Sequence, residues 1–470
     1  MPSAGLRASR QPAAETVRHP DRPVGLVRSQ DVSLTPDPRS QLDADLDALV
    51  AAALDAVDAS ALTRRAAAGS AESLAGRRVT LLAAGKAARA MASGCMGVFG
   101  AQVTGGLVVG LTDEPGPTPP LEWMASSHPV PDDRSVRAGL AAMDLARSLG
   151  DDDVLCVLLS GGASAMLAVP VPGIALDDKR TTTARLLAAG ADITSLNMVR
   201  KHLSGIKGGR LSAATRARVL AWLLSDVVGN DPSVIASGPT VADATTFQDA
   251  LRVLDRFGGR ASYPVTVVAH LEQGAAGRVP ETPKPGAAGL LRTTTVVIGS
   301  AVDALNAAAA MARRLGYQIV MSDSPVTGEA RDAARSHAEW LTDQLSRHSG
   351  RVCLLSSGET TVTVRGKGIG GRNQEFALAL AMAWEDSRRP TVAASFGTDG
   401  VDGPTDAAGA RVNRDTIFRA RGSGLDAGLA LQANDSWSFF NALGGLMRTG
   451  PTGTNVGDVQ IVLAAATESP

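Results

Sequence analysis

Asp153 to Leu159 reads DVLCVLL, an apolar run that stops abruptly on Ser160-Gly161-Gly162. Val219 to Leu224 repeats the pattern and ends on Ser225-Asp226. A strand with no polar alternation is buried on both faces. Such runs, separated by helical stretches, predict a parallel sheet covered on either side. The alternation begins at Leu42. Helical spacing covers Asp43 to Arg65, and an apolar strand, Arg78 to Ala84, leads into Gly85-Lys86 and a second helix. A short strand at Gly106 to Gly110 and a helix over Arg134 to Leu149 complete this first series.

A chain of 470 residues exceeds one ordinary core, which predicts at least two domains. Gln273 to Gly289 is rich in Pro and Gly without apolar period and reads as a linker or long loop. Beyond it a second series runs through strand Thr294 to Gly299, helix Asp303 to Leu315, strand Tyr317 to Met321, helix Glu329 to Arg347 and strand Val352 to Leu355. Strands at Thr360 to Val364, Thr391 to Phe396 and Asp458 to Ala464 follow. The expected fold is α/β, with two parallel-sheet domains and a cleft between them. Residues 42–285 form the first and 290–468 the second. Residues 1–41 lack periodicity and read as a flexible tail. Glu15, Asp21 and Asp31 argue against a transit peptide there.

Forty-six basic residues against 47 acidic ones give a net charge of −1. No global field favours nucleic acid or an anionic membrane, so any anion affinity must be local. No run of about 18 apolar residues predicts a membrane span. Cys95, Cys156 and Cys353 lack C-x-x-C spacing. Cys156 and Cys353 sit inside apolar strand-like runs and read as buried free thiols, and the set suits a reducing cytoplasm.

The candidate chemistry sits at strand ends. Thr360 to Val364 runs into a loop holding Gly366, Lys367, Gly368, Gly370, Gly371 and Arg372, with a helix from about Asn373. Glycines that let amides close on an anion, a helix start and two cations predict a phosphate or carboxylate site. The loop matches G-x-G-x-x-G, but Asp399 comes too late and Glu385 and Asp386 end the helix, which argues against a nicotinamide site. Lys86 follows a strand by two residues and can reach an anion. It fails the P-loop pattern, with Thr80 in place of Gly and Ala87 in place of Ser or Thr.

Ser160, Gly161, Gly162 and Ser164 could cradle phosphate oxygens or simply cap a turn. Lys207, beside Gly208-Gly209, is a further anion candidate. Asp226 and Asp231 could hold Mg2+, with caps and Asx-turns as the alternative. Asp399 is a strand-end carboxylate whose loop lacks the glutamate of a calcium hand. His128, flanked by Pro129 and Pro131, reads as structural or as a substrate contact. Charged, glycine-rich strand ends that mix Lys and Arg with Asp suit a phosphorylated ligand.

These segments, taken together, resemble the class II glycerate 2-kinases, whose C-terminal part is the MOFRL domain. The resemblance is carried by AAGKAARAMA at Ala83, SSHPVPDDRS at Ser126, LLSGGASAM at Leu158 and KHLSGIKGGRL at Lys201. SDVVGNDPSVIASGPT at Ser225, GGRNQEFALA at Gly370, GTDGVDGPTDAAGA at Gly397 and TGPTGTNVGD at Thr449 complete it. It implies a Rossmann-like N-terminal domain and phosphorylation of D-glycerate by ATP with Mg2+, usually at the 2-hydroxyl. The family's key lysine falls on Lys86 and its key arginine on Arg372. Ala163 stands where the family commonly has Gly, and Asn230 where an acid is frequent. Lys86, Arg372 and Asp226 are the expected catalytic residues, acting as a monomer or homodimer. A hydroxypyruvate reductase and a non-catalytic metabolite-binding protein are the alternatives.

Overall fold

The computed structural model describes residues 38–111, 116, 119–385 and 389–467. The expected tail up to residue 37 and Asp386 lie outside them. The first sheet holds β1 (Arg78–Ala84), β2 (Val103–Leu111), β3 (Leu121–Ser126), β4 (Asp153–Leu159), β5 (Arg218–Ser225) and β6 (Thr293–Ser300). All pairs are parallel, in the order β3-β2-β1-β4-β5-β6. This is the Rossmann order. Along β1 and β4 successive residues feed opposite cores. Leu81, Ala83, Cys156 and Leu158 join one; Leu82, Ala84, Leu155 and Val157 join the other. That double burial is why these strands read as continuous apolar runs.

β6 was expected to begin the second series, yet it hydrogen-bonds to β5 in the first sheet. Periodicity marks a strand but does not name its neighbour. The second sheet holds β7 (Gln318–Met321), β8 (Val326–Glu329), β9 (Val352–Thr361), β10 (Thr391–Gly397), β11 (Gly409–Asn413), β12 (Leu446–Met447) and β13 (Asp458–Ala464).

The expectation of a second parallel sheet is corrected here. β7 and β8 run parallel to β9, but β9–β13, β13–β10, β10–β11 and β11–β12 are antiparallel. An apolar run reports burial on both faces and not strand direction. The reversal has a consequence for the site: Asp458, the first residue of β13, registers against Gly397 at the end of β10 and against Gly358 in β9.

Helix Pro38–Ala56 presents Leu42, Leu46, Leu49 and Ala53 at helical spacing to a core shared with Cys353, Leu355, Phe396 and Ile461. The same core includes Leu81 and Cys156, so both sheets are packed through it. The helix ends at Ala56, and Asp58 caps the next helix, Ala59–Ser70, accepting a 2.6 Å bond from the Ala61 amide. The segment read as a linker is pinned: Thr282 Oγ1 donates to Asp243 Oδ2 at 3.0 Å, and Pro283 O accepts from the Asp243 amide. Cys95, Cys156 and Cys353 are buried and free. Among the described residues no helix is long and apolar enough to cross a membrane.

Candidate active site

The chain leaves β1 toward β2 and β4 toward β5, so the crevice beyond their carboxyl ends is a topological switch point, where open α/β sheets bind ligands. Gly85 turns there with φ +117°, and a Cβ would sit 2.4 Å from Ser160 Oγ, so only glycine fits. The Lys86 amide donates to Gly161 O and the Ala87 amide to Ser160 Oγ, both at 2.9 Å. Ser160 is buried, and its hydroxyl holds the start of helix Ala88–Phe99. With those amides spent internally, the turn offers its lysine side chain. Lys86 Nζ forms an ion pair with Asp399 Oδ2 at 2.6 Å, across from the end of β10.

Asp226 follows β5 and accepts from Asn455 Nδ2 at 3.0 Å. A Cβ at Gly161 would fall 2.0 Å from Asp226 Oδ2 and 2.1 Å from Asn455 Nδ2, so this glycine makes room for the carboxylate. Burial, aided by Glu359, pushes the Asp226 carboxyl up to about 6, while Lys86 and Arg372 pull it down. A cavity of about 260 Å3 borders Asp226, lined also by Asp323, Ser357, Gly358 and Val456. His128 packs over Gly162, with Cδ2 3.1 Å from the Cβ position. Burial and the Lys86 charge lower it to about 4, which keeps it neutral near pH 7.

Arg372 opens helix Arg372–Ala383. Its Nε and Nη2 grip Asp458 Oδ2 and Oδ1 at 2.7 and 2.9 Å, and Nη1 reaches Glu359 at 2.9 Å. Burial opposes the guanidinium charge, but Asp458 and Glu359 more than offset it and raise its pKa. Burial raises Asp458 in turn, against the pull of Arg372.

The glycine-rich loop differs from the expected anion cradle. The Arg365 and Gly366 amides donate to Asn434 Oδ1, Gly368 to Ala433 O, and Ile369 to Asp435 Oδ1. Cβ positions on Gly368, Gly370 and Gly371 would fall within 2.3 Å of Asp435, Ser436 and Asp402. The glycines therefore seat the loop against its own protein. The helix start is already capped by an internal anion: Asp402 accepts from the Asn373 and Gln374 amides at 3.0 and 2.9 Å. Burial raises that carboxyl to about 7, and the two amides oppose it.

Asp231 is exposed and accepts from the amide and hydroxyl of Ser233 at 2.8 and 3.0 Å, the turn alternative to a metal ligand. Among the described residues no group of three or more His, Cys, Asp or Glu could hold a metal alone. Lys207 is buried and bonds to Ser164, two residues past Gly162. Lys86, Gly161, Asp226, Arg372 and Asp399 thus converge, with Ser160 and Gly85 shaping the turn behind them. Sequence reasoning missed Glu359, Asn455 and Asp458 as site residues. Asn455 and Asp458 stood in the Thr449 segment, where a carboxylate opening an apolar strand was the available signal.

The MOFRL family matches residues 352–458, and a domain of unknown function, DUF4147, matches residues 45–272. A D-glycerate 2-kinase of Thermotoga maritima is 37% identical over 82% of this chain and 90% of its own length. A protein of Agrobacterium vitis with a provisional hydroxypyruvate reductase name is 41% identical over 82% of this chain and 99% of its own. The crystal structure of glycerate kinase from Thermotoga maritima superposes with a TM-score of 0.78 at 35% identity, covering 91% of this chain and 100% of that one. Fold and sequence thus define a two-sheet α/β enzyme. The chain belongs to the glycerate kinase family built from the DUF4147 and MOFRL regions.

Proposed function

We propose that this chain transfers the γ-phosphoryl group of ATP to the 2-hydroxyl of D-glycerate. The observation that carries the reading is the convergence of Lys86, Asp399, Arg372 and Asp458 on the crevice beside Asp226. Phosphoryl transfer needs positioning and charge neutralisation more than covalent help. Asp226, with a carboxyl near 6, is ionised at neutral pH and suited to take the proton of the attacking hydroxyl. Lys86 neutralises charge on the moving group. Asp458 fixes two nitrogens of Arg372 and leaves Nη1, whose partner Glu359 is exposed and exchangeable, for an oxygen of the ligand.

Asp226 and Glu359 repel each other across the site, and Glu359 is exposed, a donor set that fits Mg2+ arriving on nucleotide phosphates. Glu359 would hold it, leaving Asp226 for the proton, and the ion would supply charge neutralisation on the phosphates.

A reductase would place a dinucleotide pyrophosphate on the turn after β1. There the Gly85, Lys86, Ala87 and Ala88 amides are all bonded within the protein. The test is a pair of assays on one preparation. ADP release dependent on D-glycerate supports the kinase. NADH oxidation on hydroxypyruvate without ADP release would replace it with the reductase.

A further inference from the structure

The cavity of about 260 Å3 that borders Asp226 lies where the two sheets meet. The loop after β5 supplies Val227 to Asn230, and helix Ala301–Arg314, which follows β6, supplies its first turn. The second sheet contributes Met321 to Pro325, at and beyond the end of β7, and Ser357-Gly358 of β9. Junctions between packed units are common places for small-molecule sites.

The walls are largely apolar: Val228, Val302, Leu305, Met321, Pro325 and Val456 line the cavity. Val302 and Leu305 are three apart on their helix, so they share a face. Leu305 is buried in the core, whereas Val302 and Val228 are 51% and 53% exposed. Covering such exposed branched side chains with an apolar ligand surface is favourable.

The polar groups are neutral or acidic. Among the described residues no Lys, Arg or His lines the cavity. The Asp323 carboxylate makes no ion pair or hydrogen bond with another described residue, and neither do the side chains of Asn230 and Ser357. Asp323 sits in a pinned turn: Ser322 Oγ donates to Ser324 O at 2.8 Å and accepts from the Ser324 amide at 3.3 Å. The three unengaged side chains keep their hydrogen-bonding capacity for a ligand.

Charge decides between the two reactants. A small carboxylic acid placed here meets Asp226 and Asp323 without a counter-charge. A nucleoside suits the same surroundings, with a flat neutral base for the apolar walls and ribose hydroxyls to donate to a carboxylate.

We propose that this cavity takes the nucleoside end of the phosphoryl donor, with the base against Val228 and Val302 and the ribose hydroxyls on Asp323. Lys86 and Arg372 do not line it and are left for the phosphates and the acceptor acid. The assignment rests on the kinase reading.

The test uses the full chain without turnover. MgADP, its 2′-deoxy analogue and D-glycerate are titrated separately by calorimetry into wild type, Val302→Trp and Asp323→Ala. Val302→Trp fills the cavity from an exposed position. It should weaken MgADP by at least about tenfold and leave D-glycerate within about twofold. Wild type should prefer MgADP to the deoxy analogue by at least about fivefold, and Asp323→Ala should erase most of that preference. If Val302→Trp does not fold, Val228→Trp takes its place. Wild-type MgADP affinity in the Trp variant would overturn the proposal, as would a loss of D-glycerate in place of MgADP, which would seat the acid in the cavity. A preference for MgADP that survives in Asp323→Ala would overturn the ribose contact. Wild type that binds MgADP but not D-glycerate, with MgADP lost in the Trp variant, would remove glycerate as acceptor and leave the nucleoside site standing. Wild type that binds no MgADP overturns both.

Discussion

Lys86 Nζ, beyond the end of β1, lies 2.6 Å from Asp399 Oδ2, beyond the end of β10. The pair ties a switch-point lysine of one sheet to a strand-end carboxylate of the other. Its partners are separated by 313 residues, so only the folded chain assembles it.

Lys86→Met removes the cation while keeping the length of the side chain. Losing one preorganised charge-stabilising group costs about 10²–10³-fold in kcat. Because the pair is partly solvated, the loss in stability should stay under about 1 kcal/mol. Stopped-flow turnover with a thermal melt checks both.

Arg372 has a structural duty as well. Arg372→Ala strands the buried Asp458 and should cost about 3–5 kcal/mol. Arg372→Lys keeps the charge but loses the fork, so activity should drop by about 10–100-fold with a much smaller change in Tm. Unaltered kcat/KM in the lysine variant would remove the guanidinium from the mechanism.

Asp226 sets an acid limb. Its carboxyl is raised to about 6, so protonation below that pH removes the base, and kcat/KM should fall with unit slope. The stability sign is the reverse. A carboxyl raised on folding stabilises the protein below its unfolded pKa, and that contribution is lost as pH rises through about 6. Asp226→Asn should therefore abolish turnover, yet be more stable than wild type at pH 8 by roughly 3 kcal/mol. A pH series of denaturant melts reads this directly.

Gly161→Ala should push Asp226 and Asn455 aside, since its Cβ would lie about 2 Å from both. The expected effect is a loss of about 10²-fold in kcat from a misplaced base. A variant with wild-type kcat would show that Asp226 has room to spare.

The first sheet was legible because β1 and β4 are buried on both faces. Their apolar runs coincide with Arg78–Ala84 and Asp153–Leu159. The antiparallel heart of the second sheet was hidden, since burial on both faces looks the same in either strand direction. Lys86, Asp226 and Asp399 could be found because each is a polar residue just past an apolar strand. Asp458 opens its strand instead of following it, and only the reversal of β13 brings it beside Arg372. The glycine-rich loop misled for a specific reason: glycines that admit an anion and glycines that admit Ala433 to Ser436 are written alike.

The central claim is best tested by phosphorus NMR of wild type and Lys86→Met incubated with MgATP and D-glycerate. The account predicts a 2-phosphoglycerate resonance that grows with ADP in wild type and is nearly absent in the variant. A 3-phosphoglycerate resonance would contradict the assigned hydroxyl. Equal product from both proteins, or none from wild type, would contradict the site itself.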